Sequence, residues 1–146
     1  MMHVHLTARM RIAIVSACTM LLIVGCTQDE SPLPSPTNVS VQLGSEAQEN
    51  DRMEGTVIVS WDASTDGRVE GYAIYRAEQG VGDTIGERTD YKLQAVTIAT
   101  RYLDDEVRTT ERYPTTRYFY RISVIGPEGR QGPMSEEISI DYQATK

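Results

Sequence analysis

The sequence predicts an all-β domain, an antiparallel sandwich or barrel of about 100 residues. Three observations carry that prediction. From Asn38 onward, apolar residues alternate with polar ones at period two rather than at helical spacing. Clusters of Gly, Pro, Asp, Ser and Thr punctuate the alternating runs. Both cysteines, Cys18 and Cys26, precede the alternating region, so a packed core alone must hold it together.

The elements follow in order. Val39, Val41 and Leu43 alternate with polar neighbours in a first strand, and the polar stretch Gly44 to Glu54 reads as a loop. In the second strand Val57, Val59 and Trp61 face one way while Ile58 and Ser60 face the other. Ser64-Thr65-Asp66-Gly67 is turn chemistry. Tyr72, Ile74 and Arg76 then alternate with Ala73, Tyr75 and Ala77. Glu78 to Asp90 carries four acids and three glycines and is expected to be a long exposed loop. Tyr91-Lys92-Leu93 and Val96 to Tyr102 supply two short strands. Thr116 to Ile125 is the strongest strand of the chain, dense in aromatic and β-branched residues. Gly126 to Pro133 must turn, and Ile138, Ile140 and Tyr142 complete a set of about seven strands.

These residues resemble a fibronectin type III domain. "VIVSWDAS" (Val57 to Ser64) is similar to that family's second strand and "VEGYAIYR" (Val69 to Arg76) to its third. "TRYLDDEV" (Thr100 to Val107) resembles the Tyr-x-Asp segment of many bacterial members. "TRYFYRISVIGPEGRQGPMS" (Thr116 to Ser135) is similar to the sixth strand, its glycine-rich loop and the start of the seventh. The resemblance implies a seven-stranded antiparallel immunoglobulin-like sandwich over residues 37–143. Parity places Trp61 with Val57 and Val59 on the buried face, and Tyr72 shares the inward set of its own strand. Tyr118 stands two residues before Tyr120, where such a sandwich places its tyrosine corner, and Tyr120, Ile122 and Val124 share its face. Two departures stand out: the loop after the third strand is long, and the integrin tripeptide is absent, since the relevant loop reads Gly129-Arg130-Gln131.

The chain ahead of this region reads as an address. Arg9 and Arg11 precede an apolar run from Ile12 to Val24, followed by small Gly25 and then Cys26. Those are the zones of an export signal, and the run is shorter than the ~20 residues of a spanning helix. Ile23-Val24-Gly25-Cys26 resembles the lipobox of bacterial lipoproteins. The resemblance implies a signal peptide over 1–25, cleavage between Gly25 and Cys26, a diacylglyceryl group on the Cys26 thiol and an acylated, palmitate-bearing amino terminus. An ordinary secretory signal with an incidental cysteine is the alternative. Thr27 follows Cys26 where a retention aspartate would stand, so a source with an outer membrane would carry the protein there. Residues 26–36, with Gln28-Asp29-Glu30 and the alternating prolines Pro32, Pro34 and Pro36, read as an acidic, proline-spaced tether.

Charge and chemistry narrow the function. All 21 acids and 12 of the 14 bases follow Gly25, for a charge of 12 minus 21, or −9, on the processed chain. Such a chain is repelled by phosphate backbones, so nucleic acid is not expected as a partner. Both histidines, His3 and His5, lie in the signal. With no histidine or free thiol after cleavage, no zinc spacing and no phosphate loop, no cofactor, metal or catalytic group is expected. Asp104-Asp105-Glu106 is the densest acidic run and the basis of a less favoured carboxylate hydrolase. Neighbouring strand residues point to opposite faces, so Asp104 and Asp105 cannot line one cleft, and a solvated strand end is expected instead.

Binding is the remaining class. Outward parity exposes Tyr75 on the third strand and Phe119 and Arg121 on the sixth. An exposed Tyr–Phe pair beside an arginine has the composition of a recognition patch, and equally of a cross-strand stabilising cluster. The expectation is a lipid-anchored cell-envelope protein with a non-catalytic binding or structural domain. Its partners would be the membrane through the lipid and a protein or glycan ligand. A carbohydrate-adhesion module stacking sugars on Tyr75 and Phe119, or an accessory subunit of an envelope complex, are the alternatives.

Overall fold

The computed structural model describes residues 31–44 and 55–143. The proposed leader, Gly25 and Cys26 lie outside the described residues, as does most of the 44–54 loop. Among those described, no helix is long and apolar enough to cross a membrane.

Two antiparallel sheets face each other. The smaller holds β1 (Ser40–Gly44), β2 (Thr56–Ser60) and β5 (Arg101–Asp104), with β2 central. The larger holds β4 (Lys92–Thr97), β3 (Gly71–Val81) and β6 (Thr115–Ile125) in that order, with β7 (Gln131–Met134) and β8 (Ile138–Gln143) sharing the far edge of β6. The period-two pattern fills the space between them. Val57 and Val59 from β2, Ile74 from β3 and Tyr118, Tyr120, Ile122 and Val124 from β6 are all fully buried. Trp61 meets Tyr72 edge-on, with ring centroids 5.3 Å apart. Truncating a buried Trp costs about 3–5 kcal/mol, which makes the whole Trp61 side chain a large share of a small domain's stability.

Three features depart from the sequence reading. First, β3 continues through Glu78 to Val81, pairing with β6 as far as Thr115, so the expected long loop shortens to 82–91. Gly80 and Gly86 leave room for the Tyr113 ring: a Cβ on Gly80 would lie 2.4 Å from a ring carbon, and one on Gly86 3.1 Å from another. Second, β4 runs unbroken across the gap between the two expected strands. The sequence alternation fails at Gln94 because a β-bulge opposite Ile74/Tyr75 absorbs one extra residue. Third, there are eight strands among the described residues, because the last strand is broken in two. β7 falls inside the Gly/Pro-rich stretch that reads as pure turn. Pro133 is tolerated there because β7 lies at an edge. At the break, Ser135 N–H donates to the Ile122 carbonyl at 2.7 Å, and its hydroxyl accepts the Ile122 N–H at 3.1 Å. The chain therefore keeps its bonding to β6 while it kinks.

The domain also begins earlier than residue 37. Leu33 is buried in the core cluster and Pro36 is buried. Residues 31–36 are packed structure and not a free spacer.

Candidate functional site: the outward face of the larger sheet

Register assembles the face. Tyr75 stands opposite Arg121 across β3 and β6, and opposite Leu93 across β3 and β4. One step along, Ala77 faces Phe119; one step the other way, Ala73 lies between Val96 and Ser123, and Ser123 faces Met134. Tyr75, Phe119 and Arg121 thus share one face, as their parity requires.

Phe119 is nevertheless buried, with 8% of its surface exposed. The correction has a simple cause: the 82–91 loop folds back over the sheet and lays the Arg88 guanidinium 3.9 Å from the Phe119 ring centroid. Glu137, between β7 and β8, fixes Arg88 there, accepting its two terminal nitrogens at 3.2 and 2.5 Å. Tyr91 donates its hydroxyl to the same carboxylate at 2.6 Å and accepts from Arg88 at 2.9 Å. Arg121 approaches Glu137 at 3.6 Å and stacks over Tyr91 at 5.3 Å. Tyr75 donates to Gln131 Oε1 at 2.8 Å. Hydrogen bonds from Arg88 and then Tyr91 hold the Glu137 carboxyl below its ordinary range. Burial, and then Glu137, push the Tyr91 phenol up to about 12.

Arg88, Tyr91 and Glu137 were not legible as site residues. Two come from the 82–91 loop and one from a strand break, and nothing in their spacing announces a shared cluster. Glu137 is shared between Arg88 and Arg121, and the Arg121 Nε stays buried without a hydrogen-bond partner among the described residues. What the cluster leaves open is an apolar flank: Leu93 is 52% exposed, Val96 61% and Met134 41%.

The acidic run sits elsewhere and does something else. Asp104 is not a solvated strand end; it is fully buried between the sheets. It accepts from Arg76 at 2.7 and 2.8 Å, from the Tyr120 hydroxyl at 2.7 Å and from the Glu106 N–H at 3.2 Å. Asp105 is exposed. No cleft joins the two, and Asp104 has no face toward substrate. Nor is there any cluster of metal-binding side chains among the described residues.

The core residues complete the frame. Tyr118 donates its hydroxyl to the Arg108 carbonyl at 2.9 Å and accepts the Arg108 N–H at 2.8 Å, the bonding of a tyrosine corner. The Tyr72 hydroxyl accepts the Ser64 N–H at 2.8 Å, tying the 62–70 loop to β3.

No family model matches the chain, and no curated protein matches it. Solved structures do. The fourth fibronectin type III domain of a human protein superposes with a TM-score of 0.57 at 18% identity, covering 89% of this chain and 94% of that one. The third fibronectin III domain of the human KIAA0343 protein gives 0.53 at 20%, covering 84% and 91%. The fn3 domain of human contactin 1 gives 0.53 at 18%, covering 79% and 82%. At these identities the likeness establishes the fold alone. The domain is an all-β, fibronectin type III-like sandwich.

Proposed function

We propose that this chain is a lipid-anchored protein of the cell envelope, placed in the outer membrane where the source has one, whose fibronectin type III-like domain is a non-catalytic binding or structural module. The observation that carries the anchor is the sequence Ile23-Val24-Gly25-Cys26 at the end of a short apolar run. Two acyl chains or more hold a protein firmly, at about 0.8 kcal/mol for each buried methylene. The burial of Asp104 supports a module without catalysis, because the one buried carboxylate of the densest acidic run is taken up in joining the sheets. The domain's likeness to fibronectin type III modules supports the same reading.

A protein ligand suits the face better than a glycan. Sugar stacking needs an open aromatic ring, and Arg88 covers Phe119. The open part is aliphatic, Leu93, Val96 and Met134, beside the half-buried Tyr75, and exposed apolar surface rimmed by polar groups is the common mark of protein contact. An accessory role in an envelope complex is the form this takes.

Metabolic labelling with a clickable fatty acid tests the anchor. Wild type takes label and fractionates with membranes, while Cys26→Ala takes none and is released; an unlabelled, soluble wild type refutes the reading. Pull-down from detergent-solubilised membranes tests the module. It recovers a stoichiometric partner that Val96→Glu loses, and equal recovery with Val96→Glu moves the contact elsewhere.

A further inference from the structure

The stretch 31–36 reads in sequence as spacer, yet the fold uses it as a strap. Leu33 is only 4% exposed and lies against two glycines. A Cβ on Gly126 would come within 2.8 Å of Leu33 Cδ1, and one on Gly132 within 2.9 Å of the Pro34 carbonyl oxygen. Arg68 closes over the strap. It donates to the Ser31 carbonyl at 3.0 Å and the Ser31 hydroxyl at 2.7 Å, while Asp66 holds its other side at 2.7 Å. Ser35 donates its hydroxyl to the Met134 carbonyl at 3.1 Å. The chain is therefore fixed to one end of the sandwich, that of the 62–70 loop and the 126–130 turn, from Ser31 onward.

Only five residue steps separate Cys26 from Ser31. Fully drawn out they reach about 18 Å. The eleven residues of β3 run from the strap end to the 82–86 turn and span roughly 35 Å. The leash is thus about half the length of the body it holds.

We propose that the domain is held against the membrane in one orientation, with the strap end at the lipid headgroups and the 82–86 turn pointing away. This rests on the lipid-anchor reading of Cys26 and adds a geometry to it. The tether acts as a short leash.

Two single-cysteine variants of the full chain test it, Gly67→Cys at the strap end and Ile85→Cys at the far end. A side chain at Gly67 meets nothing within 4 Å, and Ile85 is 73% exposed. Each is purified as the lipidated protein, labelled with a fluorophore and placed in anionic vesicles carrying a headgroup spin-labelled quencher lipid. The Gly67 probe is quenched several-fold more than the Ile85 probe. Inserting about 20 Gly/Ser residues between Glu30 and Ser31 adds roughly 25 Å of flexible reach and abolishes the difference. Leu33→Asp, which frees the strap, shrinks it. Equal quenching at both positions in a chain shown by mass to be lipidated overturns the orientation and leaves the anchor standing. A purified chain without lipid overturns the anchor and the orientation with it.

Discussion

Arg76 on β3 and Asp104 on β5 join the two sheets through the interior, one guanidinium nitrogen lying 2.7 Å from Oδ1 and 2.8 Å from Oδ2. Burial works against the Arg76 charge, and Asp104 more than offsets it, leaving the guanidinium more basic than usual. The Tyr120 phenol beside them is driven far above its ordinary range, by burial first and by Asp104 next. Removing one partner strands the other's charge in a dry site. Asp104→Ala is expected to cost about 3–5 kcal/mol, while Arg76→Met combined with Asp104→Leu costs far less. Urea denaturation of the three chains checks this; a double variant weaker than Asp104→Ala contradicts the clamp.

The tyrosine corner gives a cleaner single-atom test. Tyr118→Phe removes the hydroxyl that serves both the N–H and the carbonyl of Arg108. A loss of about 1–3 kcal/mol is expected from the stranded backbone groups. The urea midpoint falls with an unchanged slope, since the sandwich itself stays intact.

Gly80 is chosen by its neighbour and not by its backbone. Gly80→Ala drives a methyl into the Tyr113 ring and costs about 1–3 kcal/mol. In a Tyr113→Ser background the same change is close to neutral. A penalty that survives the removal of Tyr113 would show that the ring is not the reason for the glycine.

Stability should decline at both pH extremes, for opposite reasons. On the acid side, hydrogen bonds from Arg68 hold Asp66 at about 2, and Arg88 and Arg117 hold Glu137 and Asp141 below their ordinary values. Unfolded carboxyls titrate near 3.9–4.3. These groups therefore contribute stability that is present above about pH 4 and lost as pH falls through the folded values. The contribution is modest, because the pairs are partly exposed and salt-screened. On the alkaline side, burial lifts Tyr91 and Tyr102 to about 12 and lifts Tyr118 and Tyr120 as well. Their stabilisation is complete below about pH 10 and is lost as pH rises through the folded values. Thermal melts across pH, with and without added salt, check the acid limb. A late fraction of the phenolate absorbance, from these four tyrosines, that rises only as the protein unfolds checks the alkaline one.

The sequence carried the sandwich because its inward residues obey strict parity: Val57, Val59 and Trp61 on one strand, Tyr118, Tyr120, Ile122 and Val124 on another. Parity also placed Tyr75, Phe119 and Arg121 on one face. It could not reveal that Arg88, from a loop, would bury Phe119, because that contact joins segments about thirty residues apart with no shared period. The same blindness hid Asp104. A carboxylate in an acidic run looks solvated until its partner, Arg76 on the inward set of another strand, is found opposite it. Pro133 and the bulge at Gln94 misled in a different way, since edge strands and bulges accept residues that otherwise signal a strand's end. Leu33 gave no warning, being one apolar residue among prolines.

Mass spectrometry of the amino-terminal peptide from membrane-extracted protein is the most direct test of the proposed anchor. It should begin at Cys26 and carry a thioether-linked diacylglyceryl group with an acylated amine. A processed chain that starts elsewhere, or Cys26 recovered as an unmodified thiol from the soluble fraction, would contradict it.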